Sequence, residues 1–201
     1  MRKGKLFVVS GPSGVGKGSI CSEVIKGDEH INFSVSVTTR LPRAGEIEGI
    51  HYFFREKEEF ENLISKNSFL EYAKVFDNYY GTLKDYVFEK LDKGENIILD
   101  IDTQGALNVK ANYSEAILVF ILPPSLDELK SRLMNRATEN ESELKKRING
   151  ARAEIKKAIN YDYIIINDDL NKAICDLKTI IYVEKLKTDK KVIENILEEE
   201  I

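Results

Sequence analysis

The chain alternates between short apolar segments and longer amphipathic ones. Four segments are apolar, β-branched or aromatic and lack polar alternation, as parallel strands covered on both faces do: Lys5–Ser10, Asn96–Ile101, Ala116–Leu122 and Asp162–Asn167. Apolar residues recur three and four positions apart in four predicted helices: Gly18–Lys26, Leu83–Lys93, Gln104–Asn112 and Asp169–Glu184. Strands and helices that alternate in this way predict an α/β fold with a parallel core sheet.

Two stretches interrupt this predicted core. Residues 35–85 are rich in Ser, Thr and Tyr, and the short alternating segments Phe33–Val37 and His51–Phe54 predict a small mixed insert there. Residues 126–157 are strongly charged and helical, which predicts a solvated flap. The rest of the chain forms the predicted core: 1–34, 86–125 and 158–201.

Composition and charge narrow the class of protein. The 201 residues are 42% hydrophobic and 32% charged, so the chain can bury a core. A net charge of −4 argues against general binding to nucleic acid or to a membrane surface. No apolar run is long enough to span a bilayer. Cys21 and Cys175 fit neither a disulfide scaffold nor a zinc motif, so we expect two small core residues in a cytoplasmic protein.

The segment between the first predicted strand and the first predicted helix is a candidate phosphate loop. Its glycines let successive backbone N–H groups converge on one anion, and Lys17 would reach the outer phosphates of a nucleoside triphosphate. The strict motif places Ser or Thr after the lysine, whereas this chain has Gly18 there. The alternative is a Gly-rich turn with a chance lysine, but the flanking strand and helix favour the loop. The candidate ATP-binding residues are Gly11, Pro12, Ser13, Gly14, Val15, Gly16, Lys17, Gly18 and Ser19.

Two carboxylates follow the second buried strand. Ligands of open parallel sheets bind beyond the carboxyl ends of the strands, so Asp100 or Asp102 could hold metal-bound water beside the phosphates. The alternative is a carboxylate that caps the following helix, which suits Asp102 better than Asp100. Alternation along a strand points the two side chains to opposite faces, so we expect them to have different roles.

Arginine is used sparingly, at eight positions against 22 lysines, and it is clustered. Arg40 and Arg43 bracket a Pro in a turn, an arrangement that suits a phosphate monoester because each guanidinium is a planar, permanently charged fork. Tyr52, Tyr79 and Tyr80 offer phenol donors nearby. The alternative is a surface turn with two arginines. Of the four arginines in the predicted flap, three are further candidates: Arg132, Arg136 and Arg147.

Several motifs together resemble those of the guanylate kinase family. They occur in the family's order over about residues 4–184: Gly11–Ser19, residues 36–46, Phe69–Ala73, Asn78–Thr82, Leu99–Gly105 and Ile166–Leu170. The resemblance implies the reaction ATP + GMP ⇌ ADP + GDP with Mg²⁺, and activity on dGMP as well. It also implies a P-loop NTPase fold of three α/β/α layers, with a small mixed GMP-binding insert and a helical lid.

The resemblance further implies a role for each matching residue. The residues that would hold the GMP phosphate are Arg40, Arg43, Tyr52 and Tyr80. Those that would recognise the guanine are Ser36, Glu71, Thr82 and Asp102. Asn167 would lie near the adenine, and Asp100 would face Mg²⁺ through water. The residues that would assist transfer directly are Lys17, Arg40, Arg132, Arg136 and Arg147. A carboxylate suits guanine because guanine presents two adjacent donors, N1–H and the N2 amine, whereas adenine has no donor at N1.

Two other functions stay open at this point. A kinase for another nucleoside monophosphate would keep the loop and the lid, but it should lack the Glu71 and Asp102 acceptors. A non-catalytic interaction module built on the same fold would typically lack the loop lysine, which is present here as Lys17. The sequence does not decide between a monomer and a homo-oligomer.

Overall fold

The computed structural model describes residues 2–75, 77–136, 141–188, 192–194 and 197, except for the side chains of 135, 136 and 141–143. The strands within this part are β1 (Leu6–Ser10), β2 (Ile31–Phe33), β3 (Ser36–Thr38), β4 (Tyr52–Phe54), β5 (Phe69–Val75), β6 (Asn78–Leu83), β7 (Asn96–Asp100), β8 (Ile117–Leu122) and β9 (Tyr163–Ile166). The helices are α1 (Lys17–Lys26), α2 (Lys57–Ser65), α3 (Lys84–Asp92), α4 (Thr103–Asn112), α5 (Leu126–Arg136), α6 (Glu141–Lys156) and α7 (Leu170–Leu186). None of the described helices is long and apolar enough to cross a membrane.

A five-stranded parallel sheet forms the core, in the order β2-β7-β1-β8-β9. One face packs on α1 and α7, in a cluster that includes Phe7 and Leu177. The other face packs on α3 and α4 around Leu6 and Leu118. Both faces are covered, which explains why the strands lack polar alternation. The predicted three-layer α/β/α fold is therefore confirmed.

The four buried strands were predicted to within one residue at either end, and the four helices to within two. The alternating segment Phe33–Val37, predicted as part of the insert, belongs only partly to it. It divides into the end of β2, which pairs with β7 in the core sheet, and the start of β3 in a second sheet. The prediction for Cys175 was also wrong: this residue is exposed on α7, whereas Cys21 is buried as expected.

The second sheet has four strands in the order β4-β3-β6-β5. Helix α2 covers one of its faces, where Phe60 stacks on Phe69 with ring centroids 4.5 Å apart and on Tyr79 at 5.2 Å. Val37 and Phe53 join the same apolar cluster. Side chains alternate between the two faces of a strand, so the intervening polar residues lie on the uncovered face.

Helices α5 and α6 pack on each other through a small apolar cluster of Leu129, Leu133 and Ala151. This pair also touches the segment after β1: a Cβ on Gly14 would lie only 2.8 Å from Leu133 Cδ2. The contact places α5 directly against the candidate phosphate loop.

The β9 strand offers a matched test of core packing. Ile165 is 1% exposed in the α1/α7 cluster, while its neighbour Ile164 is 52% exposed. We expect Ile165→Ala to lower the free energy of unfolding by about 2–5 kcal/mol, because it removes buried methyl groups and leaves a cavity. Ile164→Ala should cost less than about 1 kcal/mol. Urea unfolding monitored by circular dichroism measures both, and equal losses would contradict the assigned faces of β9.

Candidate active site

The segment after β1 has the backbone of an anion-binding loop. Gly14 and Gly16 both have positive φ, and Gly16 N-caps α1 in the left-handed region at φ 100°. A side chain is disfavoured there, so the glycine is required by the backbone. Lys17 begins α1, and its Nζ donates to the Gly11 carbonyl oxygen at 2.7 Å. The lysine therefore lies folded over the loop, where it can exchange that carbonyl for a phosphate oxygen.

Two contacts fix this loop to the ends of the neighbouring strands. Ser10 is fully buried, and its Oγ donates to the Ile101 carbonyl oxygen at 2.9 Å. On the other side, Asn167 Nδ2 donates to the Val15 carbonyl oxygen at 2.8 Å. The loop is thus held between the carboxyl ends of β7 and β9.

Asp100 lies at the end of β7 beside the start of α1. Its Oδ2 would be 3.8 Å from a Cβ on Gly18, the position at which the strict motif carries Ser or Thr. Asp100 is exposed to solvent on one side. Burial of its other side raises the pKa of the carboxyl group, and the nearby positive charge of Lys17 opposes this shift. Asp100 therefore stands where an oxygen ligand for a phosphate-bound cation would be needed.

Asp102 caps helix α4, so the capping alternative is correct for this residue. Its Oδ1 accepts both the Gln104 and the Gly105 backbone N–H groups, at 2.8 and 2.9 Å. Because both bonds fall on Oδ1, the second carboxylate oxygen remains available to a ligand. A cap and a ligand contact are compatible on one aspartate.

Glu71 is the buried acid of the second sheet. It is 8% exposed, and Thr82 Oγ1 donates to its Oε1 at 2.8 Å. Burial raises the pKa of Glu71; the Thr82 hydrogen bond opposes the shift, and the nearby Asp102 charge adds to it. Its other oxygen, Oε2, would be 3.3 Å from a Cβ on Gly105 in the first turn of α4. The two predicted guanine acceptors, Glu71 and Asp102, are thereby brought to one place.

The other predicted acceptor-site residues of the strands share the uncovered face of the second sheet, except Tyr79, whose ring stacks on Phe60 under α2, so its prediction as a phenol donor was wrong. Ser36 pairs with Tyr52, Thr38 with Tyr80, and Glu71 with Thr82. The rings of Tyr52 and Tyr80 meet edge to face, with centroids 6.1 Å apart. The pairing predicts that all of these side chains project to the same side as Glu71.

Arg40 is tied to a carboxylate that the sequence analysis did not single out. Its two terminal nitrogens donate to the two Glu46 oxygens at 2.8 and 2.9 Å, and its guanidinium lies 5.4 Å from the centroid of Tyr52. Glu46 also accepts the Arg43 backbone N–H at 2.7 Å. Hydrogen bonds from Arg40 lower the pKa of Glu46 to about 2. One carboxylate therefore shapes the turn that carries both arginines.

The three candidate arginines of α5 and α6 differ in what the structure describes. Arg132 donates through Nε to Glu128 at 2.9 Å and through a terminal nitrogen to the Asn167 carbonyl oxygen at 3.1 Å, so it lies beside the loop. Arg147 is exposed on α6. Arg136 ends α5, and its side chain lies outside the described part of the chain.

Three residues that organise the site were missed from the sequence: Ser10, Glu46 and Gly105. A glutamate three residues after Arg43 in a Pro-Gly turn is a signal for Glu46, since a turn rich in arginine favours a local carboxylate partner. Nothing local marks Ser10 or Gly105, because their partners are distant in sequence.

Beside the loop, a surface cavity of about 580 Å³ is lined by Gly18, Ser19, Ser22, Glu23, Leu170, Asn171 and Ile174.

Comparison with known proteins places this geometry in a family. The family model described as guanylate kinase matches residues 3–184. The guanylate kinase of Clostridium tetani is 52% identical over 190 residues, covering 94% of this chain and 91% of the relative. The guanylate kinase of Caldanaerobacter subterraneus is 46% identical over 189 residues, which covers 94% of this chain and 92% of the relative. The crystal structure of guanylate kinase from Anaplasma phagocytophilum superposes with a TM-score of 0.71 at 35% identity, covering 93% of this chain and 89% of that one. The chain belongs to the guanylate kinase family.

Proposed function

We propose that this chain transfers the γ-phosphoryl group of ATP to GMP, giving ADP and GDP. The observation that carries the proposal is a continuous path of contacts from the phosphate loop to the buried acid. Ser10 at the start of the loop bonds the chain just before Asp102, Asp102 caps α4, and Gly105 of that helix lies against Glu71. A site for phosphates and a site for a base with two adjacent donors are thus neighbours.

Glu71 would select guanine. A buried carboxylate accepts the N1–H and N2 amine of guanine together, and against adenine it would face a lone pair at N1. A buried acceptor left without a donor is costly, so the site would reject adenine strongly. Asp102 Oδ2 would take a further amine proton, and Ser36 and Thr82 would donate toward the O6 and N7 edge. These contacts leave the 2′-hydroxyl unused, so we propose that dGMP is also accepted.

The acceptor phosphate would lie at the turn after β3. Arg40 and Arg43 supply two permanent positive charges, and Tyr52 and Tyr80 supply phenol donors on the adjacent strands. In the present structure Glu46 occupies the two terminal nitrogens of Arg40. The phosphate dianion would therefore compete with this carboxylate, or bind the edge of the guanidinium that Glu46 leaves open.

The residues present also fit a magnesium ion carried by ATP. The carboxylate of Asp100 lies next to Gly18 and could contact the ion through its oxygens. Within the described residues, no cluster of three or more His, Cys, Asp or Glu side chains is suited to hold a metal by itself. We therefore propose that Mg²⁺ is held chiefly by phosphate oxygens and water, with Asp100 contacting that water. The ion would neutralise charge on the phosphates, while the loop N–H groups and Lys17 orient them.

We further propose a division of labour along the chain. Residues 35–85 would bind GMP, residues 126–157 would close over the phosphates as a lid, and 1–34, 86–125 and 158–201 would hold ATP. Arg132, Arg136 and Arg147 would bring positive charge to the transferred group, and closure would exclude water that otherwise hydrolyses ATP.

Both cysteines are free thiols, which supports a reducing, cytoplasmic setting.

The proposal is tested by offering acceptors separately. With ATP and Mg²⁺, we expect ADP production with GMP and dGMP, and none above background with AMP, CMP, UMP or dTMP. Turnover with another monophosphate would overturn the base assignment but keep the kinase. No turnover from folded protein with any acceptor would favour a non-catalytic interaction module.

Lys17→Ala tests the phosphate loop. We expect kcat/KM to fall by about 10²–10³-fold or more, because the variant removes a charge that faces the transferred phosphoryl group. Lys26→Ala is the matched control: Lys26 ends the same helix and pairs with Glu23 at its exposed end. Coupled spectrophotometric assays compare the two variants, and near-normal turnover by Lys17→Ala would contradict the assignment of the loop.

Glu71→Gln tests guanine recognition. An amide cannot accept from both guanine donors in one orientation, so we expect kcat/KM for GMP to fall by about 10²-fold and the preference for GMP over AMP to narrow. Glu61→Gln, on the exposed face of α2 in the same insert, is the control. Steady-state kinetics with both nucleotides gives the ratio. Full retention of GMP preference would show that Glu71 does not recognise the base.

Glu46 gives a pH-dependent test of the arginine turn. Its folded-state pKa of about 2 lies below the ordinary 4.5, so its charge stabilises the folded state above pH 4.5 and this contribution disappears as the pH falls toward 2. We expect the Tm of the wild type to exceed that of Glu46→Gln at pH 7, and the gap to close between about pH 4.5 and 2. Calorimetry across this range measures the gap, and a gap unchanged at pH 2 would refute the ion pair.

A further inference from the structure

Asn167 occupies a junction between three parts of the fold. It directly follows β9 and is only 5% exposed. Its backbone N–H donates to the Leu122 carbonyl oxygen at 2.8 Å, at the end of β8. Its side-chain Nδ2 donates to Val15 in the loop at 2.8 Å, and its own carbonyl oxygen accepts from Arg132 of α5 at 3.1 Å. Core, loop and lid helix therefore meet at one residue.

The bond to Val15 fixes the direction of a backbone donor. In a trans peptide the carbonyl and the following N–H point in opposite directions. Asn167 holds the Val15 carbonyl toward β9, so the Gly16 N–H of the same peptide points away from Asn167. That N–H is one of the groups that would contact phosphate oxygens.

Gly16 and Asn167 fit each other closely. A Cβ on Gly16 would lie 2.6 Å from Asn167 Nδ2, closer than real contacts allow. The glycine also holds a left-handed φ of 100°. Only a residue without a side chain permits both the backbone turn and the approach of the amide.

We infer that Asn167 is a positioning residue for the phosphate loop, acting through the Val15–Gly16 peptide. The inference rests on the proposed function, in which this loop binds the triphosphate of ATP. It differs from the expectation that Asn167 lies near the adenine to recognise it, since its amide nitrogen is already used by the loop. The cavity beside Gly18, lined by Leu170 and Asn171, offers the base a separate place.

Inorganic tripolyphosphate separates the two roles because it has no base. For Asn167→Ala we expect the Kd of Mg²⁺–tripolyphosphate and the KM of ATP to rise by the same factor, about tenfold, as a buried carbonyl loses its donor. The KM of GMP, which binds at the second sheet, should stay unchanged. If Asn167 instead recognises adenine, the KM of ATP rises while tripolyphosphate binding stays the same, and the inference is wrong.

Asn96→Ala is the matched control. Asn96 is also a buried asparagine bonded to a backbone group, with Oδ1 accepting the Lys5 N–H at 3.0 Å, but it lies at the opposite end of β7. It should lose stability without any change in tripolyphosphate binding. Should Asn167→Ala fail to fold, Asn167→Asp gives the same test. Aspartate has nearly the same size and shape as asparagine, but it presents an oxygen acceptor, not a donor, to the Val15 carbonyl oxygen.

Isothermal titration calorimetry of the full chain with Mg²⁺–tripolyphosphate, together with kinetics, measures these changes. Wild-type protein that fails to bind tripolyphosphate would count against the phosphate loop and so against the proposed function. Wild-type binding that survives unchanged in both Asn167 variants would overturn only the role of Asn167.

Discussion

The parallel pairing of β1 with β7 is the contact on which both halves of the site depend. Its register sets Val9 beside Asp100, so the phosphate loop and the segment that follows β7 leave the sheet side by side. The buried Ser10 hydroxyl then ties the two segments together. Helix α4 starts from the same edge, and its first turn packs on Glu71 of the second sheet. A change in this register would separate the candidate phosphate loop from Glu71.

The site contains two carboxylates, those of Glu71 and Asp100, that are only partly stabilised by the protein itself. Burial raises the pKa of Glu71 and of Asp100, which means that each carboxylate is less solvated than it would be in water. Such groups gain most from ligands that present fixed donors or a cation. Guanine would supply two donors to one of them, and a phosphate-bound magnesium ion would supply positive charge to the other. Bound substrates would therefore supply the hydrogen-bond donors and the positive charge that Glu71 and Asp100 lack in the protein alone.

The features that sequence predicted best are those that depend on local pattern. Continuous apolar runs identified β1, β7, β8 and β9, because both faces of that sheet are covered. The loop motif lies in consecutive residues and was equally visible. The division of Phe33–Val37 between two sheets was not, since it depends on which distant strand each residue pairs with. The contacts of Asn167 with Val15 also join residues far apart in sequence, and no local pattern encodes them.

The cations of the site differ in the acceptors that hold them, and this difference determines what each proposed substrate would have to displace. Lys17 donates to a neutral carbonyl oxygen, that of Gly11, whereas Arg132 divides its donors between the Asn167 carbonyl oxygen and the carboxylate of Glu128. A charged phosphate oxygen is a stronger acceptor than a carbonyl, so ATP would draw Lys17 away from Gly11, and the terminal nitrogen of Arg132 away from Asn167, at little cost. Arg40 is instead bound to the carboxylate of Glu46, which a phosphate must match in charge as well as in geometry. Lys17 would therefore rearrange readily around ATP, whereas Arg40 would stay on Glu46 until a dianion competes for it.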